Sequence, residues 1–395
     1  MYKICMIAPI PFFEDRGAPI RVYGEVKGLA NLGHEIDVVC YHLGRAVPEV
    51  HRIHRIHHIP WYNTTAAGPS YHKVYLDLMV LSKALHVIKS YDVDVVHAHL
   101  HEGAAIAQML NAILKLKKPV IFDAQGSLTG EMASHGFLKP TSLQFRFWRW
   151  LENKICDNSS FILASSHHLL RLLRYDFRIP EEKTALVLDG VDTDLFNPKR
   201  FDREKIRHEF DLANDDVIIY TGLFSRYQGL NFLIEDVVPR VVKENKNAKF
   251  VLIGYPAKEY IKLAKNARVH ENILFMGKQR YADVPKFLAA ADIAVTPKRM
   301  EMGEANLKVL TYMAMGLPTI AFNYEYNTQL LQDGGLTTEP GDVNGFTDAI
   351  INLLCNPKQR RMMGKKARSL AQNKHSWLSV ASKLVDVYRK LSDEK

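Results

Sequence analysis

A chain of 395 residues is too long for one hydrophobic core and comfortable for two domains. Its 47% apolar and 24% charged content is that of an ordinary water-soluble globular protein, and no run of about 18 uncharged apolar residues marks a transmembrane helix. The net charge of +9 leaves nucleic acid, an anionic membrane surface or a phosphorylated substrate open; without zinc-finger spacing, an RNA-binding signature or an arginine-rich tail, nucleic acid is set aside.

The N-terminal run Lys3 to Ile10 predicts a buried strand and lacks a signal-peptide cleavage pattern. A loop with Gly17 follows, then a helical pattern ended by Gly33, then a strand over Ile36 to Tyr41, which together make a βαβ unit. Further strands are expected at Val93 to His97, Pro119 to Asp123, Phe161 to Ala164 and Thr184 to Val187. The same plan returns downstream: a strand over Asp216 to Phe224, a loop with Gly229, a helix over Leu230 to Asn245, and a strand over Lys249 to Gly254. Strands at Ile273 to Met276, Ile293 to Thr296 and Thr319 to Phe322 complete the second half. Strand–helix alternation in both halves predicts an α/β protein of two Rossmann-like domains with doubly wound parallel sheets. Gly, Asp, Asn and Pro cluster in Gly190 to Arg200, placing the junction there and dividing the chain into 1–190, 191–374 and a terminal amphipathic helix within 375–395.

Three stretches carry charge or aromatics without a settled purpose. His97, His99 and His101 alternate, so on a strand they would share a face and could hold a metal, but no further ligand spacing accompanies them. The run His51 to His58 reads as a strand and its solvated loop. Gln144 to Lys154 mixes aromatic and basic residues; its aromatics are expected to pack on the sheet with the arginines exposed, the alternative being a helix lying on anionic lipid. Cys5, Cys40, Cys156 and Cys355 never form C-x-x-C and read as free thiols of a reducing cytosol.

The most informative segment is Glu301 to Asn323, EMGEANLKVLTYMAMGLPTIAFN. Leu307, Leu310, Met313 and Ala314 mark a buried helical face, Gly316 stands where a helix needs a left-handed residue to end, and Pro318 stops it resuming. Polar groups at that helix start suggest an anion site for a phosphate-bearing ligand. The segment resembles the nucleotide-sugar site of the family 4 glycosyltransferases, whose architecture is GT-B: two Rossmann-like domains facing a cleft. The Met313-Ala314-Met315-Gly316-Leu317-Pro318 run carries the resemblance, and Gly190 to Arg200, preceded by Asp189 in the place of the family's Asn, is similar to the family's interdomain linker. The family's two acidic positions are held by Gly303, with Glu304 one place on, and by Thr311. In the loop Thr221 to Gly229, Leu223 and Gln228 stand where relatives carry Arg and Lys.

The resemblance implies a retaining transferase that moves a sugar from a nucleotide diphosphate to an acceptor hydroxyl, with no cofactor and no metal. Donor contacts are then expected from Gly17, Gly222, Arg226, Gln228, Asn306, Lys308 and Thr311, with Lys298 and Arg299 read as surface charges and Arg21 as either assisting or pointing to solvent. Glu304, His135 and Gln125, the last in the family's histidine place, are the candidate catalytic groups; Ser127, Glu131, His99 and His101 are candidates for the acceptor. The acceptor would be a glycan or a lipid-linked one, the location cytoplasmic, with peripheral contact at the inner face of an anionic membrane left open. A GT-B nucleotide-sugar epimerase or hydrolase, and an inactive nucleotide-sugar-binding module, are the alternative functions.

Overall fold

The structure, a computed structural model, describes residues 1–47, 50, 52–65, 70–115, 118–134, 136–299 and 305–393. It divides into two compact units, one built from Met1–Gly190 together with the chain from Trp377 onward, the other from most of the chain between Val191 and Ser376.

Among the described residues the first unit holds seven parallel strands: β1 (Lys3–Ala8), β2 (Glu35–Cys40), β3 (Ile53–Arg55), β4 (Val95–His99), β5 (Val120–Ala124), β6 (Phe161–Ala164) and β7 (Thr184–Leu186), in the order β3-β2-β1-β4-β5-β6-β7. β1, β4, β5 and β6 are buried almost throughout because both faces of the sheet are covered. The helices Lys73–Ser90, Leu100–Leu114 and Leu143–Asp157 cover one face; Gly17–Asn31 and Trp377–Asp393 cover the other. Trp377 lies flat in the space left by Gly24 and Gly190, where a Cβ at either glycine would overlap its ring. The strand order reverses between β1 and β4, and such a reversal opens a crevice at the strands' carboxyl ends.

The second unit repeats the plan with, among the described residues, six parallel strands: β8 (Asp216–Thr221), β9 (Ala248–Ile253), β10 (Ile273–Gly277), β11 (Ile293–Thr296), β12 (Thr319–Phe322) and β13 (Gly335–Thr338), ordered β10-β9-β8-β11-β12-β13. Its reversal lies between β8 and β11. The helix Leu307–Ala314 ends as expected: Gly316 has φ +70°, and Leu317 N–H returns to the Tyr312 carbonyl at 3.0 Å. It is buried all round from Val309 to Ala314 rather than on one face. Two expectations shift for local reasons. The helix expected over Leu230 to Asn245 breaks into a wide-turn segment Phe232–Val237 and an α-helix Val238–Glu244, because Pro239 supplies no N–H to the ladder. β13, GLTT at the sheet edge, has too few apolar residues to announce itself.

One expectation is overturned outright. On the helix Leu143–Asp157, Phe147 and Trp150 are exposed instead of packing on the sheet, and the buried side is Glu152, Ile155 and Cys156. Glu152 turns inward because its carboxylate accepts hydrogen bonds from Leu128 N–H (2.9 Å), Thr129 N–H (3.1 Å) and Thr129 Oγ1–H (2.5 Å). These fix the start of the short helix Leu128–Ser134. Glu152→Ala strands all three donors, and hydrogen bonds to charged groups contribute about 1.5–3 kcal/mol; the expected result is a first unit about 2 kcal/mol less stable in urea unfolding. A loss below about 0.5 kcal/mol would mean the clamp is replaceable by water.

Candidate functional site

In the second unit three segments meet at the carboxyl end of β8. Thr221 is tied to the helix Leu307–Ala314 because its N–H donates to Tyr312 Oη at 2.7 Å. The loop after β8 then turns through Gly229 (φ +79°), where a Cβ would lie 2.0 Å from the Pro297 carbonyl oxygen, so only glycine lets this loop close against the segment after β11. From the first turn of the helix, Lys308 reaches back under the loop. Its ammonium donates to Gln228 Oε1 at 2.6 Å and Tyr220 Oη at 3.1 Å, and stands 4.3 Å from the Tyr220 ring centroid. No carboxylate pairs with it among the described residues. Burial first, and the Lys298 ammonium second, hold the Lys308 amine well below the usual lysine range.

The other donor candidates sort around this lysine. Gly222 backs directly onto it, with its Cβ direction 2.7 Å from Lys308 Nζ. Asn306 is buried at the helix start; its amide donates to Thr296 Oγ1 (3.2 Å) and Asn327 Oδ1 (3.3 Å), and its Oδ1 has no partner among the described residues. Thr311 is buried and its hydroxyl donates to the Lys308 carbonyl at 2.7 Å, which leaves only its lone pairs for a ligand. Arg226 and Arg299 are exposed. Lys298 is not the surface charge expected of it: it is buried, with its ammonium 5.2 Å from the centroid of the Tyr227 ring. Glu304 lies outside the described residues.

The first unit carries a buried polar network that sequence reading missed. Arg21, expected either to assist at the ligand or to point to solvent, is 2% exposed and clasps Asp123 with Nε (2.9 Å) and Nη2 (2.7 Å), while Nη1 donates to Asp189 (2.8 Å) and Nη2 also to the Val187 carbonyl (3.1 Å). This is the planar fork for which arginine is suited and lysine is not. Glu25 stands 3.1 Å from Arg21, one helical turn on. His97 and His99 stack at 4.6 Å; His99 Nδ1–H donates to Asp123 (3.0 Å), and His97 shares a 2.7 Å hydrogen bond with Tyr388 of the terminal helix.

The charge states follow from these partners. Burial opposes every charge here, but Arg21 and then His99 hold the Asp123 carboxyl far below the usual carboxylate range. Arg21 is held well above its ordinary value against burial, first by Asp123, then by Glu25 and Asp189. Burial, then Asp123, pushes Glu25 well up, and burial, then His99, pushes His97 well down. Glu25, His97, His99 and Asp123 offer ligand atoms all within 4.8 Å of one another. A dication would have to share Asp123 with the Arg21 guanidinium, so the donor set suits an internal ion pair better than a metal.

Of the remaining first-unit candidates, Gln125 joins this network directly. Gln125 Nε2–H donates to Asp123 at 2.9 Å. His99 and His101 are both buried; His101 lies on the helix after β4, not on the strand face of His97 and His99, and packs edge-on against Phe122 at 5.0 Å. Ser127 accepts from Gly130 N–H at 3.1 Å, and Glu131 is exposed on the Leu128–Ser134 helix. Gly17 opens the Gly17–Asn31 helix with open space where a side chain would be, and that helix has no side-chain cap and no acidic residue in its first turn. His135 lies outside the described residues. Of the network, Arg21 and Asp189 carried signals: one lies just inside a helix start, the other in the linker. Their partnership spans 168 residues and no local pattern shows it.

Comparison with known proteins agrees across both halves. Residues 16–195 match the family described as Glycosyltransferase Family 4, and residues 215–356 match Glycosyl transferases group 1. The chain is 23% identical over 375 residues to the N-acetyl-alpha-D-glucosaminyl L-malate synthase of Bacillus anthracis, covering 92% of this chain and 91% of that protein. It is 22% identical over 249 residues to the alpha-D-kanosaminyltransferase of Streptomyces kanamyceticus, covering 62% of this chain and 64% of that one. Among solved structures, the sucrose-phosphate synthase of Thermosynechococcus elongatus superposes with a TM-score of 0.75 at 19% identity, covering 100% of both chains. Anabaena HepE, solved with UDP and glucose, superposes with a TM-score of 0.74 at 16% identity over 98% of this chain and 99% of that one. Two doubly wound parallel sheets, the superpositions and the adjoining family matches agree: the chain has the GT-B fold and belongs to the family 4 glycosyltransferases.

Proposed function

We propose that this glycosyltransferase moves a sugar from a nucleotide-diphosphate sugar to the hydroxyl of a glycan or lipid-linked acceptor, with retention of configuration and without a metal. The observation that supports this reading is the Lys308 ammonium, held by Gln228 and Tyr220 beside Gly222, with no carboxylate partner among the described residues. A cation kept without a counter-charge at the end of a parallel strand is suited to a diphosphate, whose charge grows as the sugar leaves. In this reading Asn306 and Thr311 hold the donor from the helix start, Gly222 lets its phosphates approach the backbone, and Arg226 closes over them from solvent. Glu304 would bind the sugar hydroxyls and His135 the reacting sugar. The acceptor oxygen attacks the anomeric carbon on the face from which the phosphate departs, the sugar–phosphate bond breaks, and the acceptor proton passes to the donor phosphate oxygen.

Gln125 and His99 act in this reading through Asp123, holding the first-unit loop in which Ser127 and Glu131 meet the acceptor. Four free cysteines, three of them buried, fit a reducing cytoplasm. Thermal unfolding with UDP, GDP and ADP tests the donor claim. A ligand at a hundred times its Kd stabilises the native state by about 2.7 kcal/mol, so one diphosphate is expected to raise the transition by several degrees while its nucleoside does not. No shift with any diphosphate would sink the reading. Stabilisation followed by donor turnover without acceptor would favour a hydrolase or epimerase instead.

A further inference from the structure

The outer side of the helix Leu143–Asp157 inverts the usual arrangement. Leu143 (79% exposed), Phe147 (56%) and Trp150 (56%) fall at i, i+4 and i+7, a single stripe, and that stripe is the pole opposite the buried Glu152, Ile155 and Cys156. The helix is anchored by its acid and presents its aromatics to water. Phe147 and Trp150 lie with ring centroids 6.1 Å apart, so the two form one surface rather than separate exposed residues. The neighbouring helix Leu100–Leu114, on the same side of the sheet, adds exposed Met109 and Ile113.

The charges around the stripe decide what covers it. Exposed Arg146 flanks it, Lys154 continues it at the next turn, and exposed Lys139 stands in the segment leading into the helix, beside exposed Phe137. Of the helix's two acids, Glu152 is buried in its clamp and Asp157 lies 3.8 Å from Lys154. A second copy of this chain would set the same basic rim against itself, in a molecule of net charge +9. A surface of anionic headgroups over acyl chains matches both parts: lysine and arginine meet the phosphates, while Phe, Trp and Leu enter the boundary beneath. No helix among the described residues is long and apolar enough to cross a membrane, so such contact is made from one side.

We propose that the Leu143–Asp157 face, centred on Phe147 and Trp150, docks on an anionic bilayer surface. The proposal stands on this surface alone and does not need the donor site. It is tested by flotation of the full chain with vesicles of phosphatidylcholine alone or mixed with phosphatidylglycerol, at low and high salt. The expected result is binding to the mixed vesicles, weakened by salt, with a blue shift of tryptophan fluorescence. Phe147→Ala with Trp150→Ala should lower vesicle affinity about tenfold or more, and Arg146→Glu with Lys154→Glu should abolish the preference for anionic lipid. Both variants should keep wild-type thermal unfolding and wild-type stabilisation by the nucleoside diphosphate, which separates failure of this surface from failure of the donor reading. Equal binding by the aromatic variant, no binding to either vesicle, or a dimer in solution that Phe147→Ala with Trp150→Ala dissolves would each overturn the proposal.

Discussion

Replacing Lys308 with leucine weakens binding of the preferred nucleoside diphosphate by about tenfold to a hundredfold, the loss of one charge-assisted hydrogen bond of about 1.5–3 kcal/mol. Position 228 adds a sharper expectation. The family resemblance implies lysine where this chain has Gln228, and the Lys308 ammonium stands 2.6 Å from the Gln228 Oε1. If both positions serve one phosphate role, an ammonium at either should suffice. Gln228→Lys in the Lys308→Leu background should therefore recover most of the lost affinity, whereas Gln228→Lys alone crowds two ammonium groups together and should not improve on the wild type. Isothermal titration of the four proteins decides it; a double variant no better than Lys308→Leu would show that the two positions do not share one role. The same site predicts a pH dependence. Burial and Lys298 hold the free amine well below the usual lysine range, and a diphosphate bound beside it is expected to raise it. Between the free and bound values, binding takes up a proton, so affinity falls as pH rises through that window.

Arg21→Met should destabilise the first unit by about 3–5 kcal/mol, the usual cost of removing one partner from a buried ion pair. Asp123 and Asp189 would be left buried and charged without the guanidinium that now holds both. A total stability of about 5–15 kcal/mol makes this enough to unfold much of the population at moderate temperature. Arg21→Lys should recover only part of the loss, since an ammonium lacks the planar fork. Glu25→Gln is the contrasting variant. Burial and Asp123 raise the Glu25 carboxyl in the folded state, so at neutral pH its unfolded form is the more ionised and its protonation in the fold costs stability. A neutral amide removes that cost, and the expected change is within about 1 kcal/mol. Urea unfolding of the three variants is the measurement. Arg21→Met as stable as wild type, or Glu25→Gln as damaging as Arg21→Met, would show that the network's charges are not distributed as described.

Much of the fold was legible because central parallel strands must be apolar on both faces. β6, β11 and β12 lie where their apolar runs predict, and Gly316 ends its helix where its position requires. β13 was not legible, because an edge strand of Gly, Leu and two Thr need not be apolar throughout. Periodicity also cannot say which pole of a helix faces in. The Phe147 and Trp150 stripe looked like a core face, and only the Leu128 and Thr129 donors, some 23 or 24 residues away, show why Glu152 takes that place. Arg21 and Lys298 failed for the same cause in reverse: a lone charge reads as solvated unless its partners are known, and Asp123 lies 102 residues from Arg21 in the chain. Lys308 drew notice because the first turn of a helix within an α/β repeat is itself a physical argument for an anion, and its side chain lies against Gln228 and Tyr220.

The most direct measurement is a crystal structure of the full chain with the nucleoside diphosphate that stabilises it most. Oxygens of the diphosphate within hydrogen-bond distance of Lys308 Nζ, with the Gly222 loop against them, are the predicted result. A diphosphate bound elsewhere, with Lys308 still bonded only to Gln228 and Tyr220, would contradict it.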